Sequence, residues 1–278
     1  MYNSYMSKIL IKSPSHRSKF RLAVGKRIFT FRRYLQWMFS GKKLSSSKTK
    51  TLENLIFFHK SIIMRKLKNV DMYLQENKKT NLTLASDKIN NIIIKPGETF
   101  SFWKTVGKTS RSKGYLEGLV LRNGALSKDI GGGLCQLANL LYWMTLHTPL
   151  QVTERWRHGY DVFPDSNRTL PFGSGATVSY NYIDLQIFNP TDQDFQICLH
   201  LDAEFLNGEI RSDKIWHFSY EVIEKNHRME SAFWGGYLRH NELYRNVFDS
   251  GKNFLREEFI TENNAIMMYN PLLRGEEK

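Results

Sequence analysis

The sequence predicts an α+β fold: a mostly antiparallel sheet with a long N-terminal helix and a mid-chain helix beginning at Cys135. Three observations predict it. Apolar residues recur at helical spacing in the first 76 positions and again over 135–148, and most of the later segments alternate with period two. Strands and helices do not follow the βαβα order of a parallel sheet. With 278 residues, 41% hydrophobic and 13% aromatic, the chain is long and apolar enough to bury a real core.

Residues 1–50 read as a basic arm. They hold 13 Lys or Arg and no Asp or Glu, and residues 51–278 hold 27 basic and 27 acidic side chains. The net charge of +13 therefore sits on one end. A basic arm on a neutral body points to an electrostatic tether and away from nucleic acid. Within the arm, Val24, Ile28, Phe31, Leu35 and Phe39 recur at spacings of three and four, with Lys26, Thr30 and Arg33 opposite. That pattern is a basic amphipathic helix lying on an anionic membrane surface, or a helix packed on the body with a solvated charged face. KKLSSSKTK at 42–50 reads as a link.

The next segment, 51–95, reads as a helical lead-in. A long helix is expected over 52–76, from the stripe of Leu52, Leu55, Ile56, Ile62, Ile63, Leu67, Val70 and Leu74. NNIIIK at 90–95 is a short strand ended by Pro96-Gly97. A core unit is expected over 96–205. It holds PGETFSFW at 96–103, a turn at Asn123-Gly124, a Gly131-Gly132-Gly133 loop, and a helix over 135–148 that buries Leu137, Leu140, Leu141 and Met144 and stops at Pro149. Strands follow at 150–156, 176–189 and 195–202; the second places Ile183, Leu185 and Ile187 on one face. In the third, Phe195, Ile197, Leu199 and Leu201 point inward, and Cys198 is an inert thiol on the other face. Residues 206–278 form a β-rich extension with a hairpin around Asp249-Ser250-Gly251.

Two cysteines are too few for a disulfide framework and read as reduced thiols. Apolar runs such as LIFF at 55–58 fall far short of the roughly 20 residues that span a bilayer. The expected location is the cytoplasm, peripheral at the inner face of the membrane.

Four segments in order, PGETFSFW at 96–103, GGGLCQLANLLYW at 131–143, ERWRH at 154–158 and ATVSYNYIDLQIFN at 176–189, resemble the signature of the VanW family, with likeness over roughly 70–205. The resemblance implies a bacterial protein of the cell envelope, linked to vancomycin and other glycopeptide antibiotic resistance or to cell-wall peptidoglycan metabolism. It brings no established mechanism. One departure is visible: where relatives usually carry Asp-Ala-Thr-Val, this chain has Gly175-Ala176-Thr177-Val178.

The residues themselves suggest chemistry at Cys135. It follows three glycines and opens a helix, where free N–H groups and the helix dipole lower a thiol pKa below its usual ~8.5 and can hold an oxyanion. Gln136 adds a donor. The order Cys135, His158, Asp184 gives a nucleophile, a base and an orienting acid of a cysteine hydrolase or transpeptidase acting on peptidoglycan precursors. Gly131, Gly132, Gly133, Gln136, Glu154, Arg155, Phe102 and Trp103 are the candidate substrate-binding residues. Each has a structural alternative: Cys135 as a small core residue, His158 paired with Glu154 or Asp161, Asp184 balancing Arg155. The competing function is a non-catalytic module in which the glycine loop and the aromatics of 96–103 hold a cell-wall precursor or a lipid-linked phosphate at the membrane surface. No metal set of standard spacing is present and no cofactor is expected. The alternatives separate on whether His158 and Asp184 lie in hydrogen-bond reach of a chain to the Cys135 sulfur.

Overall fold

The computed structural model describes residues 18–64, 71–122, 124–162 and 169–271. In chain order the elements are α1 (Lys19–Phe39), β1 (Lys43–Leu44), β2 (Asn54–Ile62), α2 (Met72–Ile89), β3 (Ile92–Ile94), β4 (Glu98–Ser101), α3 (Phe102–Val106), β5 (Glu117–Arg122), β6 (Ala125–Ile130), α4 (Cys135–Leu146), β7 (Gln151–Glu154), β8 (Tyr160–Asp161), β9 (Gln186–Phe188), β10 (Phe195–Leu201), β11 (Phe205–Ser212), β12 (Ser219–Ser231), β13 (Tyr237–Phe248) and β14 (Phe254–Met267). They form sheets of order β1-β4-β9-β7, β2-β11-β10-β3 and β12-β13-β14-β8, plus the β5-β6 hairpin. Only β1/β4 and β8/β14 pair in parallel among these strands; the fold is α+β and mostly antiparallel.

The core lies between α4, α2 and the sheets. Leu137, Leu140, Leu141 and Met144 are all buried, as the helical spacing requires. α4 packs on β2 and β11. It comes so close that a Cβ on Gly208 of β11 would stand 2.7 Å from Met144 and 3.0 Å from Leu140. α2 buries Leu82, Ala85 and Ile89 at spacings of three and four. In β10, Phe195, Ile197 and Leu199 are buried as the alternation predicts. The β13–β14 hairpin turns at Asp249, whose carboxylate accepts from Gly251 N and Asn253 N, both at 2.9 Å. The three-stranded ribbon β12–β14 is tied to the end of α4 by Arg245, which donates to the Thr148 carbonyl at 2.8 Å.

Two expectations fail. The helix over 52–76 is not formed: residues 54–62 are the edge strand β2, and the helix begins only at Met72. Leu67 and Val70 lie outside the described residues. The stripe of Leu and Ile fits both periods over so short a run, and β11 offers an edge whose pairing, with one bulge at Ile210/Arg211, decides for the strand. The strand over 176–189 is also not continuous. Ser179 and Ile183 exchange both backbone hydrogen bonds, so the chain folds back on itself, and only Gln186–Phe188 forms a strand.

Candidate functional site

The glycine loop is built for close approach. Gly131 and Gly133 have φ of +78° and +97°, and a Cβ on Gly132 would lie 2.2 Å from the backbone of Gly118. The N–H of Gly131 donates to Leu116 O, that of Gly132 to Asp129 O, and the Gly132 carbonyl accepts from Asn81 Nδ2. Asn81, fully buried in α2, also exchanges hydrogen bonds with the backbone of Leu116. The N–H groups of Gly131 and Gly132 are thus used inside the protein, and the run lets the β5–β6 hairpin, α2 and α4 meet. Gln136 likewise donates to Ser61 Oγ and the Ile62 carbonyl and ties α4 to β2.

Cys135 begins α4, and its thiol donates to the Val178 carbonyl at 3.7 Å. Burial pushes its pKa up, against the weaker opposite pull of backbone N–H groups. The expected thiolate stabilisation is reversed, because desolvation of the sulfur outweighs the helix start. Cys198 is also pushed up, to about 11, first by burial and then by Glu209.

His158 lies between β7 and β8, half-buried. Burial and the neighbouring Arg157 hold its pKa below the usual imidazole range, so it is neutral at pH 7. Asp184 is completely buried. One oxygen accepts from Trp103 N at 2.9 Å, the other from Ser101 Oγ at 2.5 Å and from Gln186 Nε2 at 3.4 Å. It therefore caps the start of α3, where Ser101 in turn accepts from Lys104 N. Burial raises the Asp184 pKa to about 6, opposed by the Ser101 and Trp103 bonds. These bonds tie Asp184 to β4, α3 and β9. Phe102 and Trp103, expected to grip a ligand, are buried in the core at 0% and 4% exposure.

A strap over 173–178 joins two groups of candidate residues. On one side α4 holds it through Asn139 Oδ1, which accepts from Ala176 N at 2.8 Å, and through Cys135. On the other, Arg155 donates to the carbonyls of Gly173 and Gly175, and the Trp156 carbonyl accepts from Thr177 N. Arg155 also donates to Asn263 in β14 and lies over the Tyr142 ring. It is a structural clamp. Gly175 leaves room for Asn139: a Cβ there would stand 2.5 Å from its Oδ1.

Glu154 centres a second cluster. It accepts from both terminal nitrogens of Arg33, from Trp156 Nε1 at 2.9 Å and from Asp184 N. Arg33 also donates to the Tyr182 carbonyl, Tyr34 and Tyr180 share a hydroxyl hydrogen bond of 2.6 Å, and Phe29 stacks on Tyr182. The rim is aromatic: Trp156 is half exposed, and Tyr34, Tyr180 and Tyr182 are partly accessible. The sequence reading included Glu154 but missed Arg33, Asn139, Trp156, Tyr180 and Tyr182. The aromatic strings ERWRH and SYNY held three of them, Trp156, Tyr180 and Tyr182; the 121-residue separation of Arg33 from Glu154 hid the ion pair. Among the described residues no cluster of three His, Cys, Asp or Glu side chains could hold a metal ion.

The family described as VanW like protein matches residues 77–211. The chain is 42% identical over 173 residues to "Vancomycin B-type resistance protein VanW" of Enterococcus faecalis, an alignment covering 62% of this chain and 63% of that protein. It is 34% identical over 113 residues to "Uncharacterized protein YoaR" of Bacillus subtilis, covering 41% of this chain and 36% of that one. The chain thus spans under two thirds of the length of either relative. No solved structure matches it. The matched region contains the glycine loop, the strap and Glu154 with Trp156, Tyr180 and Tyr182, whereas Arg33 and Tyr34 lie outside it, and it is through residues 77–211 that the chain is similar to the VanW family.

Proposed function

We propose that this chain is a cell-envelope accessory protein of glycopeptide resistance that binds a cell-wall precursor at the aromatic rim around Glu154, without acyl transfer through Cys135. The observation that carries this reading is the state of Cys135: its sulfur donates to the Val178 carbonyl, and burial raises its pKa. A nucleophilic cysteine needs the opposite, a thiolate beside a base. Asp184, with its oxygens spent on Ser101, Trp103 and Gln186, does not supply an orienting acid for His158. The rim, in contrast, offers an accessible indole and tyrosine rings above a largely buried ion pair, a combination suited to a ligand with both sugar rings and polar peptide groups. The resistance role comes from the printed name of the Enterococcus relative.

Titration of the full chain with a soluble muramoyl pentapeptide tests it. Trp156→Ala should weaken binding about tenfold, the loss of one aromatic contact. Cys135→Ser should leave binding within about twofold. Binding unaffected by Trp156→Ala overturns the reading, as does peptide turnover that Cys135→Ser abolishes. The second outcome would favour acyl transfer, for which one observation speaks: the strap brings the Cys135 helix and the 155–156 segment to a common element.

A further inference from the structure

α1 meets the body through its polar edge. The arm's apolar stripe does not pack inward. The helix docks through the side that carries Arg33, whose guanidinium reaches Glu154 and the Tyr182 carbonyl, while Trp37 packs partly buried against the core. The stripe of Val24, Ile28, Phe31, Leu35 and Phe39 faces away. Phe31 is 63% exposed and Phe39 74%, and Met38 on the same side is 71% exposed. At about 100° per residue these side chains span about a third of the helix circumference. Arg27 falls on one border of the stripe, and Arg21 and Arg32 on the other, all exposed.

Hydrophobic side chains left in water over about four turns of a helix need an occupant. Three facts select it. The borders are cationic on both sides, and residues 1–50 carry no acid to neutralise them. No described helix is long and apolar enough to cross a membrane, so α1 does not span one. An ion pair at 7% and 20% side-chain exposure fixes the opposite edge to the body. An apolar stripe between arginines, held rigidly on a folded domain, is the arrangement of a helix that lies in the plane of an anionic bilayer surface.

The geometry points to α1 as a peripheral membrane-docking element: its apolar stripe seats among lipid chains, Arg21, Arg27 and Arg32 contact anionic headgroups, and Arg33 turns inward to carry the body. The ligand chemistry is an anionic lipid surface. The aromatic rim around Glu154 then lies directly behind the docked helix.

Co-sedimentation of the full chain with phosphatidylglycerol/phosphatidylcholine vesicles, against phosphatidylcholine alone, tests this at low and high ionic strength. The chain should partition to the anionic vesicles, and salt should weaken but not abolish binding. The double variant Ile28→Ser/Phe31→Ser removes two exposed side chains, so its thermal melt should match the parent, and its partitioning should fall at least about tenfold. Three results would overturn the inference: a parent chain that stays in solution with anionic vesicles at low salt; binding that the double variant leaves intact, which would make it charge alone; or a dimer, seen by light scattering, that the double variant splits while neither protein binds vesicles, which would make a second copy the occupant.

Discussion

Replacing Asp184 by Asn tests whether burial outweighs the hydrogen bonds that hold its carboxyl. The carboxyl is fully buried, and its pKa rises from the ordinary 3.8 to about 6 because burial disfavours the anion more than the Ser101 and Trp103 bonds favour it. Below pH 3.8 the group is protonated in both the folded and unfolded chains and costs nothing. As pH rises through 6 the unfolded chain has already released its proton, and the fold must either hold a neutral acid or bury an anion. At 1.36 kcal/mol per pKa unit, that difference removes about 3 kcal/mol of stability between pH 4 and pH 7. Asn keeps the shape and an acceptor for Trp103 N, and it does not titrate. Urea unfolding of both proteins across pH 4–8 should therefore show the parent losing about 3 kcal/mol relative to Asp184→Asn as pH rises, flat above pH 7. A constant offset, or a parent that gains on the variant with rising pH, would refute the reasoning: the carboxylate would then be stabilised by its neighbours more than it is penalised by burial.

Other outcomes follow from contacts of the same region. Iodoacetamide at pH 7.5 should label Cys135 and Cys198 well below the rate of a free cysteine, and His158→Ala should leave the Cys135 rate unchanged; fast labelling slowed by that substitution would contradict the raised thiol pKa. Gly132→Ala would drive a Cβ to 2.2 Å from the Gly118 backbone, where no flexible side chain can yield, and should cost more than about 3 kcal/mol by urea titration. Gly208→Ala meets the movable Met144 end and should cost less, about 1–3 kcal/mol. Arg33→Ala leaves Glu154 half-buried without its cation and should release α1 to limited proteolysis between residues 19 and 39 at a cost of about 3 kcal/mol, while Arg32→Ala, with an exposed side chain, should not.

Elements whose pattern belonged to one period were legible. The helix at Cys135 showed a buried stripe that no strand could share, β10 alternated over seven residues, and Asp249-Ser250-Gly251 named its own turn. Residues 54–62 were not legible, because Ile and Phe at mixed spacing serve a helix or an edge strand equally until β11 supplies its hydrogen bonds. α2 was hidden by its composition: Asn77, Asn81 and Thr83 are poor helix formers, yet Asn77 and Asn81 are held by backbone groups of the β5 region and Thr83 bonds the Lys79 carbonyl.

The same division holds for the candidate site. The sequence by itself determined the fold class, the family resemblance, the gathering of positive charge in residues 1–50, and which strings carry unusual residues. Those depend on composition, local period and order along the chain. Only the tertiary structure decided what the strings do. A helix start favours a thiolate, but whether Cys135 becomes one depends on how much water its sulfur loses to Val178 and its neighbours, and desolvation wins. Glu154 and Asp184 look alike as carboxylates in a sequence; one takes Arg33 from 121 positions away, and the other caps α3. The amphipathic stripe of α1 was visible from spacing alone, but its direction was set by that ion pair, which fixes the arginine edge to the body and leaves the apolar side chains outward, because the reach of a charge and the water lost on burial are properties of three-dimensional neighbours.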